Sequence, residues 1–114
     1  MAIEVNKAGL EYAKALIGEG KVDKEREWHL MEPTPESEDA YLASVGGDMD
    51  AYGKWFLAIN TDKTPGTKGY YEFPYGDFKA ICRSGVIAAE QRAGQYHHEG
   101  VKAAALELKN MIDG

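Results

Sequence analysis

The sequence holds a single cysteine in 114 residues. One thiol cannot close an internal disulfide, which excludes the stapled scaffold of small secreted domains. Long apolar runs are missing as well, since none approaches the ~18 residues of a membrane-crossing helix. Glu4, Lys7 and Glu11 break up the first residues, so no signal peptide with an apolar centre is read there. The cytoplasm is the expected compartment, with no membrane as a partner. Bases are the scarcer charge, 13 Lys and Arg against 19 Asp and Glu. Residues 1–57 carry six bases and twelve acids, whereas residues 58–114 carry seven of each. The deficit is sharpest across Glu32, Glu36, Glu38, Asp39, Asp48 and Asp50, a stretch without Lys or Arg. Phosphate backbones are bound through cationic contacts, so general nucleic-acid binding is disfavoured. The acidic stretch reads either as a solvated loop or as a docking surface for a basic partner or a cation.

What is present is ordinary for a folded protein. A length of 114 fits one globular domain, residues 1–114, because domains run about 100–200 residues. A hydrophobic content of 44% beside 28% charged residues is too apolar for disorder.

Residues 6–18 read as an amphipathic helix with Leu10, Ala13, Leu16 and Ile17 inward and Asn6 as its cap. Gly18 and Gly20 suit its end, and Gly9 weakens it by roughly 1 kcal/mol against Ala. Residues 26–31 read as a short strand around Trp28, and residues 32–39, with two prolines, as a loop. Ala40 to Val45 is one helical turn or two, stopped by Gly46-Gly47, and Asp48 caps another short turn through Tyr52. Lys54 to Asn60 and Tyr70 to Tyr75 read as strands joined by a loop with the Pro65-Gly66 turn signal. They should form an antiparallel hairpin, with Pro74 marking the end or edge of the second strand. Phe78 to Cys82 is a further extended run. Ser84 is the expected cap of a helix to Gln95 with Val86, Ala89 and Ala93 inward. A last helix over 98–112 shows the cleanest periodicity, Val101, Ala105, Leu108 and Ile112. The order predicts an α+β domain: an N-terminal helix, a small antiparallel sheet including the hairpin around 54–75, and two C-terminal helices.

Groups able to do chemistry are sparse. No Cys-x-x-Cys, His-Glu-x-x-His, calcium-loop or phosphate-loop pattern occurs, and no cofactor is expected. A zinc site would have to gather Cys82, His29 and one of His97 or His98 from distant places. His97 and His98 diverge by about 100° if helical, and they read better as a link between two helices. Cys82, beside Arg83 and before a helix, is a candidate reactive thiol, although Ile81-Cys82 reads as core. Arg83, Arg92 and His97 are the candidate polar cluster of a small enzyme or ligand-binding protein. Arg83 and Arg92 lie nine residues apart, about 180° out of phase on one helix. Lys79, Arg83, Arg92, Lys102 and Lys109 would carry any nucleic-acid contact.

The aromatic residues are the distinctive feature. Ten of the twelve fall between Trp28 and Phe78, too many for a domain this small to bury them all. Tyr and Trp are enriched in interface hot spots, so an exposed subset of Trp28, Trp55, Tyr70, Tyr71 and Tyr75 is the expected partner-binding surface.

Residues 48–113, roughly, carry a recognisable series: Phe56-Leu57, Lys68 with Tyr71 and Pro74, Gly76, Arg92-Ala93, and Leu106 to Ile112. This series resembles a small domain of bacteriophage and prophage proteins that is sometimes appended to head-maturation proteases. The resemblance implies a phage-type accessory role and assigns no activity or catalytic residue. The leading expectation is a non-enzymatic protein-interaction or assembly module, binding a protein partner or itself. The alternatives are the Arg/His ligand site and a nucleic-acid-binding accessory protein.

Overall fold

A computed structural model describes residues 2–114. The chain opens with strand β1 (Ile3–Val5) and helix α1 (Lys7–Gly18). Strand β2 (Val22–Asp23) and helices α2 (Trp28–Met31), α3 (Pro35–Ser44) and α4 (Met49–Gly53) follow. Strands β3 (Phe56–Asn60) and β4 (Tyr71–Pro74) come next. Strand β5 (Ile81–Cys82) and helices α5 (Arg83–Gln95) and α6 (Glu99–Asp113) complete the chain. The fold is α+β, with a sheet in the order β1-β3-β4, antiparallel throughout, and a separate parallel pair β2-β5.

The expected hairpin is present, with Phe56 facing Pro74 and Ile59 facing Tyr71. Pro74 ends β4, and β4 is an edge strand. The inward stripes of the last two helices are buried as their spacing implied: Val86, Ala89 and Ala93 on α5, and Val101, Ala105, Leu108 and Ile112 on α6. These side chains join Leu57, Ala58, Ile81, Ala13 and Leu16 in one core.

Several local expectations are overturned. Residues 26–31 form no strand; the apolar run is the single helical turn α2, which buries Met31 and leaves Leu30 67% exposed. An apolar run this short has no period of its own, so tertiary contacts decide its form. Residues 32–39 are not all loop, because α3 starts at Pro35. The Thr34 hydroxyl accepts from the Ser37 amide at 3.1 Å, and the Ser37 hydroxyl accepts from the Thr34 amide at 2.8 Å. That reciprocal cap, with Pro at the first helical position, starts a helix rather than breaking one. Phe78 to Cys82 is extended only at Ile81–Cys82. Before it, Asp77 Oδ1 accepts from the amides of Lys79 (3.1 Å) and Ala80 (3.0 Å) and closes a turn. Cys82 occupies the cap position of α5, and the Ser84 hydroxyl donates instead to the Arg26 carbonyl at 2.9 Å.

Asn6 precedes α1, yet its side chain caps no amide of that helix. Its Nδ2 donates to the carbonyls of Gly53 (2.9 Å) and Phe56 (3.0 Å), binding the start of α1 to the entry of β3.

Candidate partner-docking surface

The aromatic residues divide into an interior cluster and a remainder at the surface. Trp55 is the hub of the cluster. Its ring meets Tyr12 (5.3 Å), Tyr75 (5.9 Å) and Phe78 (5.9 Å), while Tyr41 stacks on Phe78 at 4.5 Å. Edge and offset contacts of this kind add about 0.5–1.5 kcal/mol per pair beyond area burial. The Trp55 indole N–H donates to the Tyr41 hydroxyl at 3.2 Å, and the Tyr75 hydroxyl donates to the Lys54 carbonyl at 2.6 Å. These bonds satisfy the polar tips of rings that are otherwise inside.

Two of the five expected partner-binding residues are therefore core. Trp55 is 3% exposed and Tyr75 0%. Their amphipathic tips are consumed by internal partners, so neither can meet another protein in this fold. Trp28, Tyr70 and Tyr71 remain partly exposed. Tyr70 lies in a 3-10 turn before β4, and Tyr71 packs against Gly53 and Tyr52.

Trp28 walls an open cleft of about 360 Å3 between α2, β4 and α5. Phe73, Pro74, Ala88 and Ala89 form its apolar part, and Glu32, Glu72 and Arg92 its charged part. The indole lies on Gly85 so closely that a β-carbon there would sit 2.6 Å from a ring atom. Gly85 thus fixes where the Trp28 ring can rest. Glu72 is held by Asn60, whose Nδ2 donates to Oε2 at 2.9 Å. The Arg92 guanidinium lies 5.9 Å from the Tyr96 ring centroid. Phe73, at the cleft wall, has φ of 63°, a left-handed conformation that a bulky side chain rarely adopts. Sequence reasoning singled out Trp28, and Glu32 as part of the acidic stretch, but missed Glu72 and Phe73. A glycine inside α5, where it weakens a helix, is the one local signal that a ring approaches there.

The Arg83, Arg92 and His97 cluster is not assembled. Arg83 Nε and Nη2 donate to the Asp113 carboxylate at 2.7 and 3.1 Å. Arg92 sits nine residues on, about 13 Å farther along the helix and on the opposite side. His97 adopts φ of 61° in the turn between α5 and α6, where its amide donates to Gly94 and the His98 amide to Ala93. The two histidines link the helices at a left-handed C-terminal turn of the kind glycine usually fills.

Cys82 is fully buried. Burial, then the nearby Asp77 and Asp23 carboxylates, push its thiol up to about 12, which leaves almost no thiolate near neutrality. Among the described residues, no group of three or more His, Cys, Asp and Glu is placed to hold a metal ion. Among them, too, no helix is long and apolar enough to cross a membrane. The acidic stretch is partly neutralised, since Lys68 Nζ pairs with Asp39 (2.5 Å) and Glu38 (3.7 Å).

No family model, curated protein or solved structure matches the chain.

Proposed function

We propose that this chain is a small non-enzymatic protein-interaction or assembly module that seats a partner's apolar side chain in the Trp28 cleft. One observation carries the reading: a partly exposed indole, fixed against Gly85, walls an open cleft with an apolar base and a rim of both charge signs. Rigid aromatic anchors at the centre of a small pocket are where binding energy concentrates. The resemblance of residues 48–113 to a phage and prophage domain favours an accessory role in that setting. The scattering of Arg83, Arg92 and His97 over separate surfaces speaks against the Arg/His ligand site.

The test compares wild type with Trp28→Ala and Arg92→Glu as bait in a lysate of the host cell, with light scattering on each protein alone. A protein retained by wild type and lost from both folded variants supports the proposal. A wild-type oligomer dissolved by Trp28→Ala supports it with a second copy as partner. Retention and solution mass indifferent to both substitutions overturn it.

A further inference from the structure

β1 is an edge strand, and its ladder with β3 shows which of its backbone groups are free. The Asn6 amide donates to the Leu57 carbonyl at 2.8 Å, and the Thr61 amide to the Ala2 carbonyl at 2.9 Å. Antiparallel pairs alternate between bonded and unbonded. Residues 2, 4 and 6 therefore turn their backbone toward β3, and Ile3 and Val5 turn theirs outward. Facing away from β3, the Ile3 and Val5 backbone groups also make no bond to a turn, loop or side chain among the described residues.

Space lies alongside. A groove of about 310 Å3 runs between β1 and the turn joining α5 to α6, lined by Ile3 to Val5 and by Tyr96 to Val101. Tyr96 is 55% exposed there. The carboxylates lining the groove are Glu4 and Glu99, with His97 and His98 beside them and no Lys or Arg. The opposite edge differs. β4 is bent by Phe73 at φ of 63° and ends in Pro74, two features that discourage a further strand. β1 has neither.

We propose that the β1 edge is a second docking site, which takes an extended basic peptide segment of a partner as a fourth strand. Main-chain bonds to Ile3 and Val5 hold the peptide, its basic side chains meet Glu4 and Glu99, and Tyr96 covers an apolar one. Strand addition of this kind draws its affinity from backbone pairing and its selectivity from alternate side chains. A second copy of this chain fits less well. Antiparallel pairing of two β1 strands about their centres brings Glu4 against Glu4, and like charges directly opposite destabilise a sheet.

The β1 edge takes no part in the Trp28 cleft, although Arg92 of that cleft also lies against the Tyr96 ring, and the test uses other residues. The full chain, labelled with nitrogen-15, is titrated with the capped peptide Lys-Val-Thr-Val-Lys and separately with Glu-Val-Thr-Val-Glu. The expected result is that the basic peptide moves the Ile3 and Val5 amide resonances and slows their exchange with solvent, and that the acidic peptide does not. Ile3→Pro removes one outward donor and leaves every bond to β3 in place. It should weaken binding about five-fold, the worth of one net hydrogen bond. Glu4→Lys, at an exposed position, keeps the backbone donors and should weaken the basic peptide while admitting the acidic one. No shift at millimolar peptide, equal binding of both peptides, or shifts centred on Trp28 overturn the proposal. Concentration-dependent shifts of Ile3 and Val5 without peptide overturn it in favour of self-pairing.

Discussion

Asn6 and Phe56 are joined by a buried hydrogen bond, Nδ2 to carbonyl at 3.0 Å. The Tyr75 amide bonds the Trp55 carbonyl, so the neighbouring Phe56–Pro74 pair is an unbonded one and the Phe56 carbonyl turns from β4 toward α1. A side chain fifty residues upstream supplies the donor, and the same amide also serves the Gly53 carbonyl. Asn6→Ala leaves two buried carbonyls without partners, and each such loss costs about 1–3 kcal/mol. The expected loss is about 2–6 kcal/mol, read as a lower urea midpoint. Asn6→Asp sets a carboxylate against those carbonyls and should be worse; a smaller loss than for Ala would show that the bond is not what holds β3.

Gly9 and Gly94 both lie inside helices, and replacing them should have opposite effects. Intrinsic propensity favours Ala at either site by roughly 1 kcal/mol. At Gly94 the nearest neighbour of a new β-carbon is the Lys102 side chain, 3.6 Å away. Gly94→Ala should therefore raise the melting temperature. At Gly9 the β-carbon runs into the Phe56 carbonyl oxygen, a backbone atom. Overpacking of that sort costs about 1–3 kcal/mol, so Gly9→Ala should lower the melting temperature. Thermal unfolding of the pair checks both signs.

Alkaline pH should unfold the protein through groups that resist losing protons. Burial pushes the Cys82 thiol from 9.0 up to about 12. The hydroxyls of Tyr12, Tyr52, Tyr71 and Tyr75 are also raised above 10.0, chiefly by burial. A proton held more tightly in the folded state stabilises it fully below the unfolded value, and that stability is lost as pH rises through the folded one. The urea midpoint should stay level to about pH 9 and fall from there toward 12. A thiol reagent at pH 8 should label native Cys82 only at the rate of unfolding. Rapid labelling without urea would contradict the buried thiol.

Asp23 acts on the acid side. The Arg26 amide, then the Arg26 guanidinium and the Glu25 amide, pull its carboxyl from 3.8 down to about 2. Arg26 also reaches Asp77 Oδ2 at 3.1 Å, tying the turn after β2 to the turn before β5. Here the folded value is the lower one, so the stability is present above 3.8 and lost as pH falls through about 2. Asp23→Asn should lower the urea midpoint at pH 7, and the gap to wild type should narrow as pH drops below 3.8. A constant gap would assign the loss to the turn alone.

Sequence by itself determined the parts whose signals are local and repeated. The buried stripes of α5 and α6 follow from spacing at 3.6 residues per turn. The hairpin follows from two apolar runs around Pro65-Gly66, and the left-handed His97 turn was legible as a helix link. The start of α3 was written at Thr34, Pro35 and Ser37, but two prolines outweighed it. Tertiary structure alone decided the rest. β1 and the two-residue pair β2-β5 exist only because distant backbone closes on them, and α2 is helical because Trp28 and Met31 find Gly85 and the core. The same holds for the docking surface. Trp28 and Trp55 are chemically alike, and composition could not say which ring lies inside. Burial depends on contacts across the fold: Trp55 is enclosed by Tyr12, Tyr75 and Phe78, and Trp28 keeps one side open to solvent.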